Sequence, residues 1–125
     1  MDVTPLISSN QQVIQGYQKD TIKVSGKTYD KPVLVCAFET ISLKLPQEIE
    51  QLTFEHLDPA LTRTEDLDLI LIGISSEYLD KRESLISLMN KSHLNFEIME
   101  LGAVCRTYNV LMAEGRRVAA ILTQY

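Results

Sequence analysis

The spacing of apolar positions changes once along this chain, near the Leu45-Pro46 dipeptide. Before it, the period is close to two. Ile22 and Val24 alternate with Thr21 and Lys23, which predicts a half-buried strand. Gln12 to Tyr17 predicts a strand ahead of it. Ser25-Gly26-Lys27 supplies a tight turn, because glycine accepts positive φ, and Thr28-Tyr29 begins the return strand. Pro32 delays regular pairing, and the apolar, β-branched-rich run from Val33 to Phe38 predicts a further strand. The amino-terminal part is therefore expected to be an antiparallel β-meander.

After Leu45-Pro46 the pattern lengthens. Gln47 to Leu61 predicts one or two short helical pieces, with Pro59 limiting any single helix and Asp58 placed to cap a new one. Leu67 to Gly73 is almost continuously apolar, as in a strand covered on both faces. Asp80-Lys81-Arg82-Glu83 has the spacing of a capping box, and Leu85, Ile86 and Met89 follow at helical spacing to about Ser92. Phe96 to Leu101 predicts a strand, Ala103 to Glu114 a helix closed by Gly115, and Val118 to Leu122 a last strand. Strand, helix, strand, helix, strand implies parallel neighbours joined by right-handed crossovers. The expectation is a single α/β domain over residues 1–125: a mixed sheet carrying helices, plus the amino-terminal meander. No internal repeat or linker divides it.

Composition narrows the function classes. The chain has 125 residues, 45% hydrophobic and 23% charged, an ordinary globular balance. A formal net charge of -5 argues against a nucleic-acid partner. No apolar run approaches the roughly 18 residues that span a bilayer. Met1 to Asn10 is expected to be an unanchored lead-in with neither a secretory signal nor a mitochondrial presequence, which points to a bacterial cytoplasmic protein. Cys36 and Cys105 form no C-x-x-C pair, so the sequence supports neither structural zinc nor thioredoxin-like chemistry. No glycine-rich phosphate cradle is visible, His56 and His93 lack spaced partner ligands, and no metal or cofactor is expected.

Two stretches carry candidate chemistry. Gly102-Ala103-Val104-Cys105-Arg106-Thr107-Tyr108-Asn109 follows a strand and opens a helix, a place that favours anions. Val104, Tyr108 and Leu111 share one helical face and belong to the core. Cys105, Arg106 and Asn109 share the other. Arginine in a first helical turn meets the positive end of the macrodipole, and a thiol beside it would have a lowered pKa. The readings open at this point are three. Arg106 pairs with Glu97, Glu100 or Glu114 while Asn109 ties down a loop; the face binds an anion or a partner; or Cys105 is a reactive thiol. Gly73, Ser75 and Ser76, after the buried strand, form the second stretch, and parallel neighbours would bring them toward Arg106.

The run from Gly102 to Leu111, continued by Ala113-Glu114-Gly115-Arg116-Arg117-Val118-Ala119-Ala120, resembles the signature of the domain of unknown function 498, or Mth-938-like, family. Its G-x-x-x-R-T-Y-N motif is present in full. Weaker agreement runs through Leu69 to Gly73, Gly16-Tyr17 and Val24-Ser25-Gly26. Members include a mitochondrial complex I assembly factor and a cytosolic adipogenesis-associated protein. The resemblance implies a three-layer α/β fold with a central mixed sheet, no established enzymatic activity, and a shared pocket shaped by Arg106, Thr107, Tyr108 and Asn109. Ser75 stands where members commonly have a second glycine, and Gln18-Lys19-Asp20 where they often have a glycine-rich hairpin. The functional expectation is a non-catalytic protein-interaction or assembly module. The alternative is a small-anion binding protein or enzyme using a pocket between the Gly73 loop and the Arg106 helix start.

Overall fold

The computed structural model describes residues 10–125, so nearly all of the expected lead-in, Met1 to Asn10, lies outside the described residues. Strands β1 (Ile14–Tyr17), β2 (Thr21–Val24) and β3 (Lys27–Asp30) form an antiparallel sheet in that order. In β2 the two apolar residues are buried and Lys23 is exposed, as alternation requires. The β2–β3 loop is two residues, Ser25 and Gly26, both with positive φ (47° and 85°), the backbone of a type I′ hairpin turn.

The chain then leaves this sheet. Strand β4 (Val33–Val35) pairs antiparallel with β5 (Thr40–Ser42) and with β8 (Val118–Leu122). Strand β6 (Leu69–Ile74) lies parallel to β8 on one side and to β7 (Phe96–Glu100) on the other. The central sheet therefore has the order β5-β4-β8-β6-β7. The strand expected to extend the meander is instead part of the central sheet. Val33, Leu34 and Val35 are all fully buried, and only a strand covered on both faces can satisfy three consecutive apolar residues.

Three layers follow. Leu34, Ile70, Ile72, Ile74, Ala119 and Ile121 point to one face of the central sheet, under helices α1 (Phe54–Leu61) and α2 (Arg82–Asn90). Val33, Val35, Leu71, Val118, Ala120 and Leu122 point to the other, under α3 (Leu101–Ala113) and the apolar side of the amino-terminal sheet. Ile14, Ile22 and Val24 supply that side.

Three helix starts differ from expectation. Helix α1 runs through Pro59, so Asp58 caps nothing; the start is held by Thr53, whose N–H donates to His56 Nδ1 at 2.9 Å. Proline here removes one hydrogen bond, and the helix ends two residues later. Asp80 lies inside a 3₁₀ helix, Ser76–Lys81, and Lys81 precedes α2 without a side-chain cap. Helix α3 begins at Leu101 directly from β7, which makes Arg106 its sixth residue. Arg106 thus lies beyond the first turn, where the dipole acts most strongly. The end of α3 is as expected: Gly115 has φ 81°, its N–H donates to Met112, and Arg116 N–H donates to Leu111, a Schellman closure.

Candidate functional site

Strands β6 and β7 are parallel neighbours whose chains leave to opposite faces of the sheet, β6 toward α2 and β7 into α3. Such a divergence opens a crevice beyond the carboxyl ends of the strands. A cleft of about 540 Å³ occupies that place. Its floor comes from Ser75–Tyr78 after β6 and from Glu100 and Leu101 at the β7–α3 junction. The β1–β2 hairpin contributes Tyr17 to Asp20, and Lys31 and Tyr125 complete the wall. Ser75 is held in place through its N–H, which donates to the Tyr125 carbonyl at 2.7 Å.

A second, shallower cavity of about 190 Å³ lies between β1 and α3, lined by Gly16, Tyr17, Gly102, Cys105, Arg106 and Asn109. Tyr17, 45% exposed, lines both cavities. Its ring rests on the first turn of α3. A Cβ added to Gly102 would come within 2.5 Å of the Tyr17 hydroxyl and 3.2 Å of an Arg106 guanidinium nitrogen. Glycine at 102 is what lets the tyrosine and the arginine close over the helix. The expected single pocket between the Gly73 loop and Arg106 is, in the structure, two cavities on either side of Tyr17.

The residues singled out from sequence separate accordingly. Ser75 and Ser76 line the larger cleft. Gly102, Cys105, Arg106 and Asn109 line the smaller one. Gly73 is not in a loop: it is buried inside β6, and a Cβ there would sit 2.9 Å from Leu101 Cδ2 and 3.4 Å from Val104 Cγ2. Its role is to let α3 approach the sheet. Thr107 turns to the opposite side, with Oγ1 3.9 Å from Met99 Sδ.

Tyr108 and Asn109 are locks. The Tyr108 ring is fully buried, and its hydroxyl lies 2.9 Å from the Gln12 carbonyl and 3.2 Å from the Cys36 carbonyl. Burial pushes its phenol pKa well up, so it stays a donor. Asn109 grips β1 at one residue: Ile14 N–H donates to Oδ1 at 3.0 Å, and Nδ2 donates to the Ile14 carbonyl at 2.7 Å. What it ties down is a strand rather than a loop.

Arg106 behaves differently. It is exposed and, among the described residues, forms no ion pair; the pairs there are Arg63–Glu39, Lys81–Glu50 and Arg117–Asp68. The expected partners Glu97, Glu100 and Glu114 do not hold it. Lys31 is likewise without an ion pair in that set, and burial lowers its pKa against the opposing pull of Asp20 and Cys105.

Cys105 reverses the expectation of an activated thiol. It is 7% exposed, because α3 is covered on two sides, by the central sheet and by the β1–β3 sheet. Burial raises its pKa to about 11, outweighing Lys31 and Arg106, which lower it. At pH 8, alkylation of Cys105 by iodoacetamide in the folded protein is expected to run about a hundredfold slower than that of an exposed thiol, because a pKa of about 11 leaves so much less thiolate. The unfolded thiol ionises first, near 9, so the contribution of Cys105 is intact below that pH and is lost as pH rises toward 11. Alkylation at the rate of free cysteine would contradict this. Among the described residues, no three His, Cys, Asp or Glu side chains converge to hold a metal ion.

Sequence reading missed Tyr17 as a site residue, and Lys31 with it. The signal was available in part: Gly16-Tyr17 lay in the resembling segment, yet nothing in the spacing showed that the hairpin folds back over α3.

This architecture, a mixed sheet in three layers with a cleft at a strand divergence, matches known relatives. Residues 14–123 match the family described as "Protein of unknown function (DUF498/DUF598)", and the chain belongs to that family. A relative from Francisella tularensis subsp. holarctica (strain LVS), named "13 kDa major membrane protein", is 26% identical over 107 residues, 85% of each chain. A Bordetella pertussis protein described as a Mth938-like domain has a TM-score of 0.70 at 22% identity, covering 99% of this chain and 92% of its own. An outer membrane protein from Bartonella henselae has a TM-score of 0.70 at 24% identity, covering 92% of this chain and 96% of its own. These likenesses show the Mth938-like fold. Among the described residues, no helix is long and apolar enough to cross a membrane.

Proposed function

We propose that this protein is a non-catalytic interaction module that docks a partner protein on the face formed by Tyr17 and Arg106. The observation that carries the reading is the state of Arg106. A guanidinium without an ion pair lies beside a half-exposed tyrosine, on a helix whose neighbouring Tyr108 and Asn109 are fully engaged in holding the fold. Arginine and tyrosine are the residue types that anchor protein interfaces, and a carboxylate on the partner would complete the pair. The protonated thiol of Cys105 supports binding over covalent chemistry at this face. The proposal includes an assembly role, as in the complex I assembly factors that the motif resembles. It also includes a cytoplasmic setting, which the two unpaired cysteines support.

A photo-crosslinking amino acid placed at Val110, exposed and one helical turn beyond Arg106, tests it in cells. The expected result is one discrete crosslinked protein, lost when Arg106→Ala is added, while the variant keeps its melting temperature to within about 2 °C, as for a surface site. A crosslink pattern unchanged by Arg106→Ala, or equal to that from a probe at exposed Lys91, would overturn the reading.

A further inference from the structure

We infer that the cleft beyond β6 and β7 binds a small amphoteric organic acid, a molecule carrying both a carboxylate and an amine, such as a free amino acid or a short peptide. The inference concerns the larger cleft, which shares only Tyr17 with the docking face, and stands without that reading.

Place and size come first. The cleft sits where two adjacent parallel strands send their chains to opposite faces, the position at which open α/β sheets bind ligands. Its volume of about 540 Å³ falls inside the range of small-molecule sites.

Charge selects the class. Lys31 brings an ammonium group that is half-buried and has no ion pair among the described residues, and Lys19 adds a second cation at the hairpin. A carboxylate is the natural partner for Lys31. Phosphate or a dicarboxylate fits poorly, because Asp20, Glu77 and Glu100 line the same cleft and would oppose a second negative charge. A plain amine meets the converse difficulty at the two lysines. A ligand with one group of each sign satisfies both, its carboxylate toward Lys31 and its amine toward Glu77 and Glu100. The Ser75 and Ser76 hydroxyls add neutral hydrogen-bonding capacity. Tyr78, partly exposed, gives the wall an apolar surface for a side chain, backed by the buried ring of Tyr125, 6.0 Å away centre to centre.

The test is an NMR titration of the whole chain, labelled with nitrogen-15, against the twenty common amino acids and a set of dipeptides. Acetate, inorganic phosphate and ethylamine serve as probes that carry charge of one sign only. The expected result is saturable shifts at the Ser75, Glu100 and Leu101 amides with at least one amphoteric probe. Affinity should fall by about tenfold or more when that probe is acetylated at its amine or amidated at its carboxyl, and again in Lys31→Gln and in Glu77→Gln. Glu77 is exposed, so its variant reports on binding even if Lys31→Gln disturbs the fold. The inference is overturned by three outcomes: no saturable shift with any amphoteric probe, phosphate or a blocked derivative binding as well as the parent, or undiminished affinity in Glu77→Gln.

Discussion

The Tyr108→Ala variant is expected to lose about 3–5 kcal/mol of stability, the range for truncating a buried aromatic to alanine. Two effects combine. The fully buried ring packs between the central sheet and the amino-terminal sheet, so its removal leaves a cavity. Its hydroxyl also serves the carbonyls of Gln12 and Cys36, which join the lead into β1 to the end of β4. Tyr108→Phe separates the two effects, retaining the ring and leaving those carbonyls without a donor, at a cost of about 1–3 kcal/mol. Urea denaturation followed by circular dichroism measures both. A loss below about 1 kcal/mol in Tyr108→Ala would show that the ring does not lock the two sheets together.

Asn109→Ala is expected to cost about 2–4 kcal/mol, because it strips partners from both the N–H and the carbonyl of Ile14 at once. The effect should be regional. Ile14 belongs to the sheet that covers α3, whereas β6 and β8 sit in the central sheet and keep their ladder. Hydrogen exchange is the discriminating measurement: amides of β1 and β2 should lose protection well before those of β6 and β8. Equal loss across both sheets would mean that Asn109 supports the whole molecule rather than one strand.

Both locks come from the motif that first suggested a pocket, and this shows how far the sequence could be followed. A run of like residues was legible. Leu69 to Ile72 announced a doubly covered strand, and Gly115 announced the end of α3, because each signal is local. Val33 to Val35 carried the same doubly covered signature, but in three residues beside a hairpin it was assigned to the wrong sheet. Partner choice between sheets is a long-range matter that no local period encodes.

The site was less legible for a similar reason. A helical wheel for α3 gave one core face and one free face, which put Cys105 and Asn109 on the free one. The β1–β3 sheet covers that face, so the thiol is buried and the amide is engaged. A helix opening at Gly102 and Ala103 puts Arg106 in its first turn, whereas α3 starts at Leu101, directly from β7. Ser75 and Ser76 do follow β6, but they line the larger cleft and Arg106 the smaller. What the period could not supply was Tyr17, brought over Gly102 by a hairpin some eighty-five positions away in the chain.

The order of the central sheet has a bearing on how this protein is made. Strand β8 lies in its middle, yet among the described strands it is the last to leave the ribosome. Without β8, the pairs β4–β5 and β6–β7 have no strand in common, and each lacks the neighbour that fills its apolar inner edge. Contacts so distant in the chain form slowly, since a long loop must close before they are rewarded. The nascent chain is therefore most open to pairing with a neighbour just before residues 118–122 emerge, and their arrival closes two edges in one step.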